Sequence, residues 1–177
     1  MKKLIREAQK GDKNAFVKLM ETHHNMMYNT ARHILKGEDD AVDAVQDTIL
    51  SCWENIQGLK NSSYFKTWMT RILINNCYDT LRRYNHFTDS DYIPEISQDG
   101  KEKYIEDNIA VKSVFCQMPE SSRLILNLFY FEDFSVRQIA DVLGISQGAV
   151  KTRLNRSRNQ FKNIYIKKGY HYDQKNG

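Results

Sequence analysis

Proline and glycine are scarce, with 2 and 8 in 177 residues, so few positions force the chain to turn or a helix to end. Alternation of β-branched with polar residues is rare too, which argues against a sandwich or barrel. Every apolar run is broken by polar residues well short of the 18 or so that a membrane-crossing helix needs, and no secretory leader is expected. The 3 cysteines, Cys52, Cys77 and Cys116, are odd in number and far apart, which excludes a disulfide framework and a cysteine metal site. That usage suits a reducing, cytoplasmic setting. His23 and His24 are adjacent, but no second ligand cluster accompanies them, so they read as structural or surface residues. Phosphate-binding glycine loops, converging metal carboxylates and nucleophile–base pairs are missing as well. The expectation is therefore a protein that is not an enzyme, with no cofactor, no metal and no small-molecule substrate.

What is present is a helical pattern and an uneven charge. Apolar residues, 41% of the chain, recur at three and four, the period of a helix with one buried face. The net charge of +4 divides into three parts. Residues 1–85 hold 13 basic against 10 acidic residues, 86–110 hold 2 against 7, and 111–177 hold 11 against 5. Two cationic segments thus flank an acidic one, which points to two anion-binding faces and a different connector. Breaks near Gly11, Lys36–Asp39 and Gly58–Ser63 divide the first segment into several helices. The stretch from about Tyr84 to Glu102 has Pro94, Gly100 and little to pack. The predicted fold is all-α: two small helical domains joined by a flexible linker, the second a helix-turn-helix. The divisions are 1–85, an acidic linker at 86–104, a second domain at 105–168 and a frayed tail at 169–177. The halves are expected to fold independently.

The strongest local signal runs from Ser135 to Arg158. Ser135 with Gln138 three residues on is a capping box, so a helix should start there. Its apolar face is Ile139, Ala140 and Leu143, and Gly144 is placed to end it with a positive φ. Ile145 plugs the corner, and Ser146 can cap a second helix beginning at Gln147. Helix, short turn and capped helix make a helix-turn-helix. On the second helix Val150, Leu154 and Phe161 must face the core. Lys151, Thr152, Asn155 and Arg156 lie opposite, with Gln147 and Gly148 at the start, and offer donors and acceptors suited to base edges and phosphates. A solvated face would normally mix charges, yet Gln147 to Lys168 holds seven basic residues and no acidic one. DNA contact is the better reading.

The segment MPESSRLILNLFYFEDFSVRQIADVLGISQGAVKTRLNRSRNQFK, 118–162, resembles domain four of the sigma-70 family, which reads the minus-thirty-five promoter element. DDAVDAVQDTILSCWENI (39–56), YFKTWMTRILINNCYDTLRR (64–83) and the lead-in GDKNAFVKLM (11–20) resemble domain two of that family. With these two domains only, the chain is similar to the extracytoplasmic-function group of sigma factors. The resemblance implies binding to core RNA polymerase and promoter DNA, and initiation at the promoters of a stress or cell-envelope regulon. It also implies an anti-sigma factor, commonly membrane-anchored, as an inhibitory partner.

Within 40–56 the wheel puts Val42, Val45, Ile49, Trp53 and Ile56 in the core and Asp40, Asp43, Asp47, Glu54 and a stranded Leu50 outside. By periodicity alone that face is as consistent with a solvated acidic surface as with a docking patch. The resemblance makes it the polymerase-binding surface. In 64–83, Phe65, Trp68, Ile72 and Leu73 have core spacing, while Arg71, Asn75, Asn76 and Asp79 lie on more polar faces. By resemblance, the preceding loop with Leu59, Asn61 and Tyr64 and the face bearing Arg71, Asn75 and Asp79 trap a flipped base of the minus-ten element. Unstacking a base costs a few kcal/mol, which a stacking and hydrogen-bonding pocket offsets. Asp79 either hydrogen-bonds base amines or orients Asn75 or Arg82. Arg82 and Arg83 would touch phosphate. The acidic linker matches in position the family's segment that occupies the polymerase's RNA channel. An ordinary helix-turn-helix regulator would need a receiver or ligand-binding half, and the first half of this chain shows none of the strands that a receiver requires.

Overall fold

The structure, a computed structural model, describes residues 1–87 and 109–170. Helices α1 (Lys2–Gln9), α2 (Lys13–Ile34) and α3 (Glu38–Asn55) are followed by two single 3-10 turns, Ile56–Gly58 and Ser62–Tyr64, and by α4 (Phe65–Phe87). The second half comprises α5 (Ile109–Phe115), α6 (Glu120–Leu126), a π-helical turn (Asn127–Phe131), α7 (Val136–Leu143) and α8 (Gln147–Lys167). Among the described residues there is no strand, and no helix is long and apolar enough to cross a membrane.

The helix boundaries have local causes. Gly11 takes φ +92°, and Asp12 then caps α2 by accepting from the backbone N–H groups of Asn14 and Ala15 at 2.9 and 3.1 Å. Glu38, Asp39 and Asp40 occupy the first turn of α3, where negative charge suits the helix dipole. The first-half core is built from Phe16, Leu19 and Met27 on α2, Ala44, Val45 and Cys52 on α3, and Phe65, Met69 and Leu73 on α4. Ile56 is buried as well, but Ile49 and Trp53 are only half-buried, and Val42, expected in the core, is 38% exposed. Alanines 41 and 44 take the closest approach, and they tilt the buried stripe of α3 away from Val42. Burial pushes the thiols of Cys52 and Cys77 up to about 12, so both are inert, while Cys116 is exposed.

The boundaries differ from the sequence reading at three places. Helix α4 continues to Phe87, into the segment assigned to the linker, and the rest of that linker lies outside the described residues. The second half begins at Ile109 rather than 105, with 105–108 also outside. Of the tail placed at 169–177, Tyr170 is instead half-buried and packed, while Gly169 is exposed. The Tyr170 ring lies 5.1 Å from that of Tyr165, and its backbone N–H donates to the Tyr165 carbonyl.

The halves are not independent bodies. Helix α6 and the π turn pack on α2, and α7 packs on α4. Arg123 donates to the backbone carbonyl of His33 at 3.2 Å, and Asn127 donates to Thr30 Oγ1 at 3.5 Å. The His33 ring sits 6.0 Å from that of Phe115. Lys66 donates to the carbonyl of Glu132 and lies 4.7 Å from the ring centre of Phe134. Such pairs are 66 to 97 residues apart in sequence, which is why no local pattern announces them.

Burial lowers the pKa of His33 to about 4, helped by the positive charges of Arg123 and Arg32 and opposed by a hydrogen bond to the Asn127 side chain. The unfolded imidazole takes its proton near 6.5, so between pH 6.5 and 4 the unfolded state binds more protons and stability falls as the pH falls. His33→Gln removes this titration. The stability gap between wild type and variant should shift against wild type by about 2 kcal/mol between pH 7.5 and 5 in urea melts. Glu120 and Glu132, raised by burial, act in the opposite sense but are common to both proteins. Parallel pH profiles would mean that His33 is not buried.

Candidate nucleic-acid interface

The helix-turn-helix is built as its caps require. Ser135 Oγ accepts from the Gln138 backbone N–H at 3.3 Å, and Gln138 Oε1 accepts from the Ser135 backbone N–H at 2.9 Å, closing the capping box. Gly144 ends α7 at φ +65°, where a side chain would be strained. Ser146 caps α8 by accepting from the Ala149 N–H at 3.1 Å. Ile139, Ala140, Val142, Val150 and Leu154 are buried, with Leu143, Ile145 and Phe161 half-buried against them. Val142 and the buried Ser157 escaped the sequence reading, because a wheel ranks polar or peripheral residues poorly.

Gln147, Gly148, Lys151, Thr152, Asn155 and Arg156 are all exposed, together on the outer face of α8. Thr152 donates to the Gly148 carbonyl at 3.0 Å, which occupies its hydroxyl proton and leaves the oxygen free to accept. A Cβ added at Gly148 would meet nothing closer than 3.8 Å, so no neighbour within the chain requires glycine there. Arg153 and Arg158 share the exposed surface of this helix and were not singled out from sequence. Arg158 is drawn over the rings of Phe129 and Tyr130, 5.5 Å from each centre, which commits it to a contact within the chain.

On α4, Arg71, Asn75, Asp79 and Arg82 are exposed and fall four, four and three residues apart, forming one stripe along the helix; Arg83 is exposed beside it. Asp79 pairs with Arg82, so of the roles left open for it the orienting contact is the one seen. Asn76 turns inward and donates to Thr48 Oγ1 at 3.0 Å, fastening α4 to α3. In the loop before α4, Asn61 accepts from the backbone N–H and hydroxyl of Ser63, which shapes the turn. Tyr64 is exposed, whereas Leu59 leans on the core. The loop has an anchor that sequence reasoning missed: Gln9 donates to the carbonyls of Ile56 at 3.1 Å and Leu59 at 2.7 Å, from 47 and 50 residues away.

The acidic face of α3 is open. Asp43, Asp47, Leu50 and Glu54 are exposed at intervals of four, three and four, and Leu50 is 62% exposed. Asp40 departs from this set. It is half-buried and accepts from the Tyr84 hydroxyl at 2.6 Å, tying the start of α3 to the end of α4. Tyr84 pays in acidity: the hydrogen bond to Asp40, and then its charge, raise the phenol's pKa. His23 is buried, its Nδ1 2.9 Å from the Leu19 carbonyl and its ring edge-on to Phe65, while His24 is exposed.

Comparison with known proteins agrees across both halves. Residues 19–87 match Sigma-70 region 2, and residues 109–161 match Sigma-70, region 4. The chain is 28% identical over 148 residues to the ECF RNA polymerase sigma factor SigM of Mycobacterium tuberculosis, covering 84% of this chain and 76% of that one. It is 30% identical over 166 residues to the RNA polymerase sigma factor NccH of Alcaligenes xylosoxydans xylosoxydans, covering 88% and 89%. Among solved structures, CnrH in complex with the cytosolic domain of CnrY superposes with a TM-score of 0.69 at 24% identity, covering 93% of this chain and 96% of that one. The sigma factor RpoE of Bartonella quintana, in complex with the anti-sigma factor NepR, superposes with a TM-score of 0.72 at 23% identity, covering 85% and 96%.

Because Gln9 supplies two hydrogen bonds to the loop at 56–59, Gln9→Ala should lower stability by about 1–2 kcal/mol, judging by the usual net worth of such bonds. Backbone amides between 59 and 64 should exchange faster by hydrogen exchange, with α8 unaffected. Unchanged exchange in that loop would show that it is held by other contacts.

Proposed function

The chain belongs to the sigma-70 family, in its extracytoplasmic-function group, and from that premise we propose how its surfaces divide the work of starting transcription at chosen promoters. The outer face of α8, with Gln147, Gly148, Lys151, Thr152, Asn155 and Arg156, reads the minus-thirty-five element in the major groove. The loop with Asn61 and Tyr64 and the α4 stripe of Arg71, Asn75 and Asp79 receive the minus-ten element, where a flipped base needs an exposed aromatic ring and donors beside it. Arg82 and Arg83 neutralise phosphates. Leu59 acts from behind, as the loop's support. Asp43, Asp47, Leu50 and Glu54 dock on core RNA polymerase, and Asp40 holds that helix in place through Tyr84. The single observation that carries this reading is the segregation of exposed surfaces. One helix offers an acidic stripe around a bare leucine, and two others offer cationic or amide-bearing stripes without an apolar residue. An acidic helix repels DNA and invites a protein; the others do the reverse.

The division of labour is that of an adaptor, not an enzyme, acting in the cytoplasm without a cofactor. The two domains are 1–87 and 109–170, with the acidic connector between them following the path of nascent RNA. CnrH and RpoE are each seen with an inhibitory partner or its domain. By kinship this chain too is held by an anti-sigma factor, membrane-anchored in the manner common to the group, and released by envelope stress.

Transcription from aligned start sites when the chain is added to core polymerase tests the reading as a whole. Arg156→Ala should weaken binding to the upstream element by about 1–3 kcal/mol if the guanidinium reads a guanine. Leu50→Asp should abolish association with core polymerase while leaving the melting curve within about 0.5 kcal/mol of wild type, as expected at an exposed site. Loss of the fold in the Leu50 variant, or undiminished DNA affinity in the Arg156 variant, would overturn the corresponding assignment.

A further inference from the structure

We propose that Gln9, on α1, is a positioning residue for the minus-ten element: its amide fixes the loop at 56–59, so that Asn61 and Tyr64 select the captured base. This role deepens the assignment of that loop made above and rests on it.

The loop has little to hold it in place. Residues 57–64 separate Ile56 from Phe65, both buried, and between them Leu59 alone leans on the core. A stretch with so few buried contacts is readily deformed. Its own hydrogen bonds are short-range. The Leu59 N–H donates to the Ile56 carbonyl at 3.2 Å, the Tyr64 N–H donates to the Asn61 carbonyl at 3.0 Å, and the Asn61 side chain accepts from Ser63. These bonds shape two turns without fastening either to the body of the protein.

Gln9 supplies the fastening. Its Nε2 donates to the carbonyls of Ile56 at 3.1 Å and Leu59 at 2.7 Å, and an amide nitrogen has one proton for each. The Leu59 carbonyl belongs to the planar peptide that leads into Lys60, so its orientation sets the direction in which the chain departs for Asn61. Gln9 is itself held, because α1 buries Ile5 and Ala8 and packs on α2 and on both 3-10 turns. A glutamate in its place would point lone pairs at the two carbonyls, and a methionine would fill the space without donating. Helix α1 lies ahead of residue 19, where the match to Sigma-70 region 2 begins, and that match assigns it no part.

The consequence is selectivity rather than grip. A pocket that captures a flipped base must offset the cost of unstacking, and a loop already in place spends none of its binding on ordering itself. Telling one base from another also requires donors and acceptors held to within about 0.5 Å. A loop free to re-aim would accept several bases, as adaptable surfaces accept several partners. Gln9 acts through the loop backbone and not by touching the base, so its loss should blunt the choice at one position and spare the other element.

Promoter selection by the holoenzyme, core polymerase with the full chain, tests this role. Two pools of barcoded templates are built on a promoter whose start site has been mapped, one randomised across the minus-ten element and one across the minus-thirty-five element. Transcript counts then give the base preference at every position. Tyr64→Ala identifies the captured base as the position whose preference it removes. There Gln9→Met, which keeps the side chain's length and removes both donors, should weaken the preference by about fivefold or more as the loop re-aims. Preferences in the minus-thirty-five element should persist, and affinity for core polymerase should stay within about twofold, as expected for sites distant from the change. Gln9→Glu should behave as Gln9→Met does, and it carries the test alone if helical circular dichroism shows the methionine variant unfolded. A wild-type preference at the captured base in either folded variant, or a loss spread equally over both elements, overturns the positioning role. If Tyr64→Ala removes no minus-ten preference, the assignment of the loop is what is overturned.

Discussion

Helix α4 must satisfy three different environments on one cylinder, and the rest of the molecule is arranged around that constraint. Phe65, Met69, Leu73 and Cys77 sink into the first-half core, where each large side chain contributes about 1.5–3 kcal/mol by leaving water. Lys66, near the helix's start, and Tyr78, farther along and beside the stripe, meet the other half. What remains is the stripe of Arg71, Asn75, Asp79 and Arg82, which stays in water on the side away from the core. The stripe's residues are polar for that reason as well as for any ligand. The stripe therefore lies where packing leaves the helix open, and its rigidity comes from the contacts that packing uses.

The same constraint explains what could be read from the chain. Signals that act within one helical turn were legible: the Ser135–Gln138 box, the left-handed Gly144 and the Ser146 cap appear where spacing put them. Breaks at Gly11, at 36–39 and at 58–63 likewise coincide with helix ends. Signals that depend on a partner distant in sequence were not. Asp40 looked like one more acid on an exposed face until the fold brought Tyr84 to it across 44 positions, and Gln9 carried no hint of the loop it holds. Val42 was lost for a related reason: a wheel ranks residues by hydropathy, whereas helix packing favours the small Ala41 and Ala44 where backbones approach. The expectation of independently folding halves did not foresee the contacts between them. A net acidic connector argues only about the connector, and says nothing of whether the bodies it joins have complementary faces.

Family membership and geometry carry different weights here. The matches to regions 2 and 4 establish what kind of protein this is, because they cover both halves in order. They do not assign single residues, and the structure refines several. Asp40 is a brace and Leu59 a support, while Arg158 is held back over aromatic rings. In each case the deciding fact is what the side chain already touches, since a group committed to an internal partner must break that contact before it can serve an external one.

The charge distribution supplies the last step. The α8 helix carries its cations with no acidic residue among them, and apart from Arg158, held over aromatic rings, they are free to release counterions on meeting phosphate. A handful of such contacts gives a weak, salt-sensitive grip, since surface charges are screened beyond about 8–10 Å at ordinary ionic strength. Two weak readers become one strong reader only if both engage together, and the gain depends on whether their tether lets them reach both elements. On the proposed assignment of the acidic stripe of α3 to docking, a rigid partner surface would fix the two readers at one spacing and so supply that gain. Specificity for DNA belongs, on this argument, to the assembly of the chain with its polymerase rather than to the chain alone.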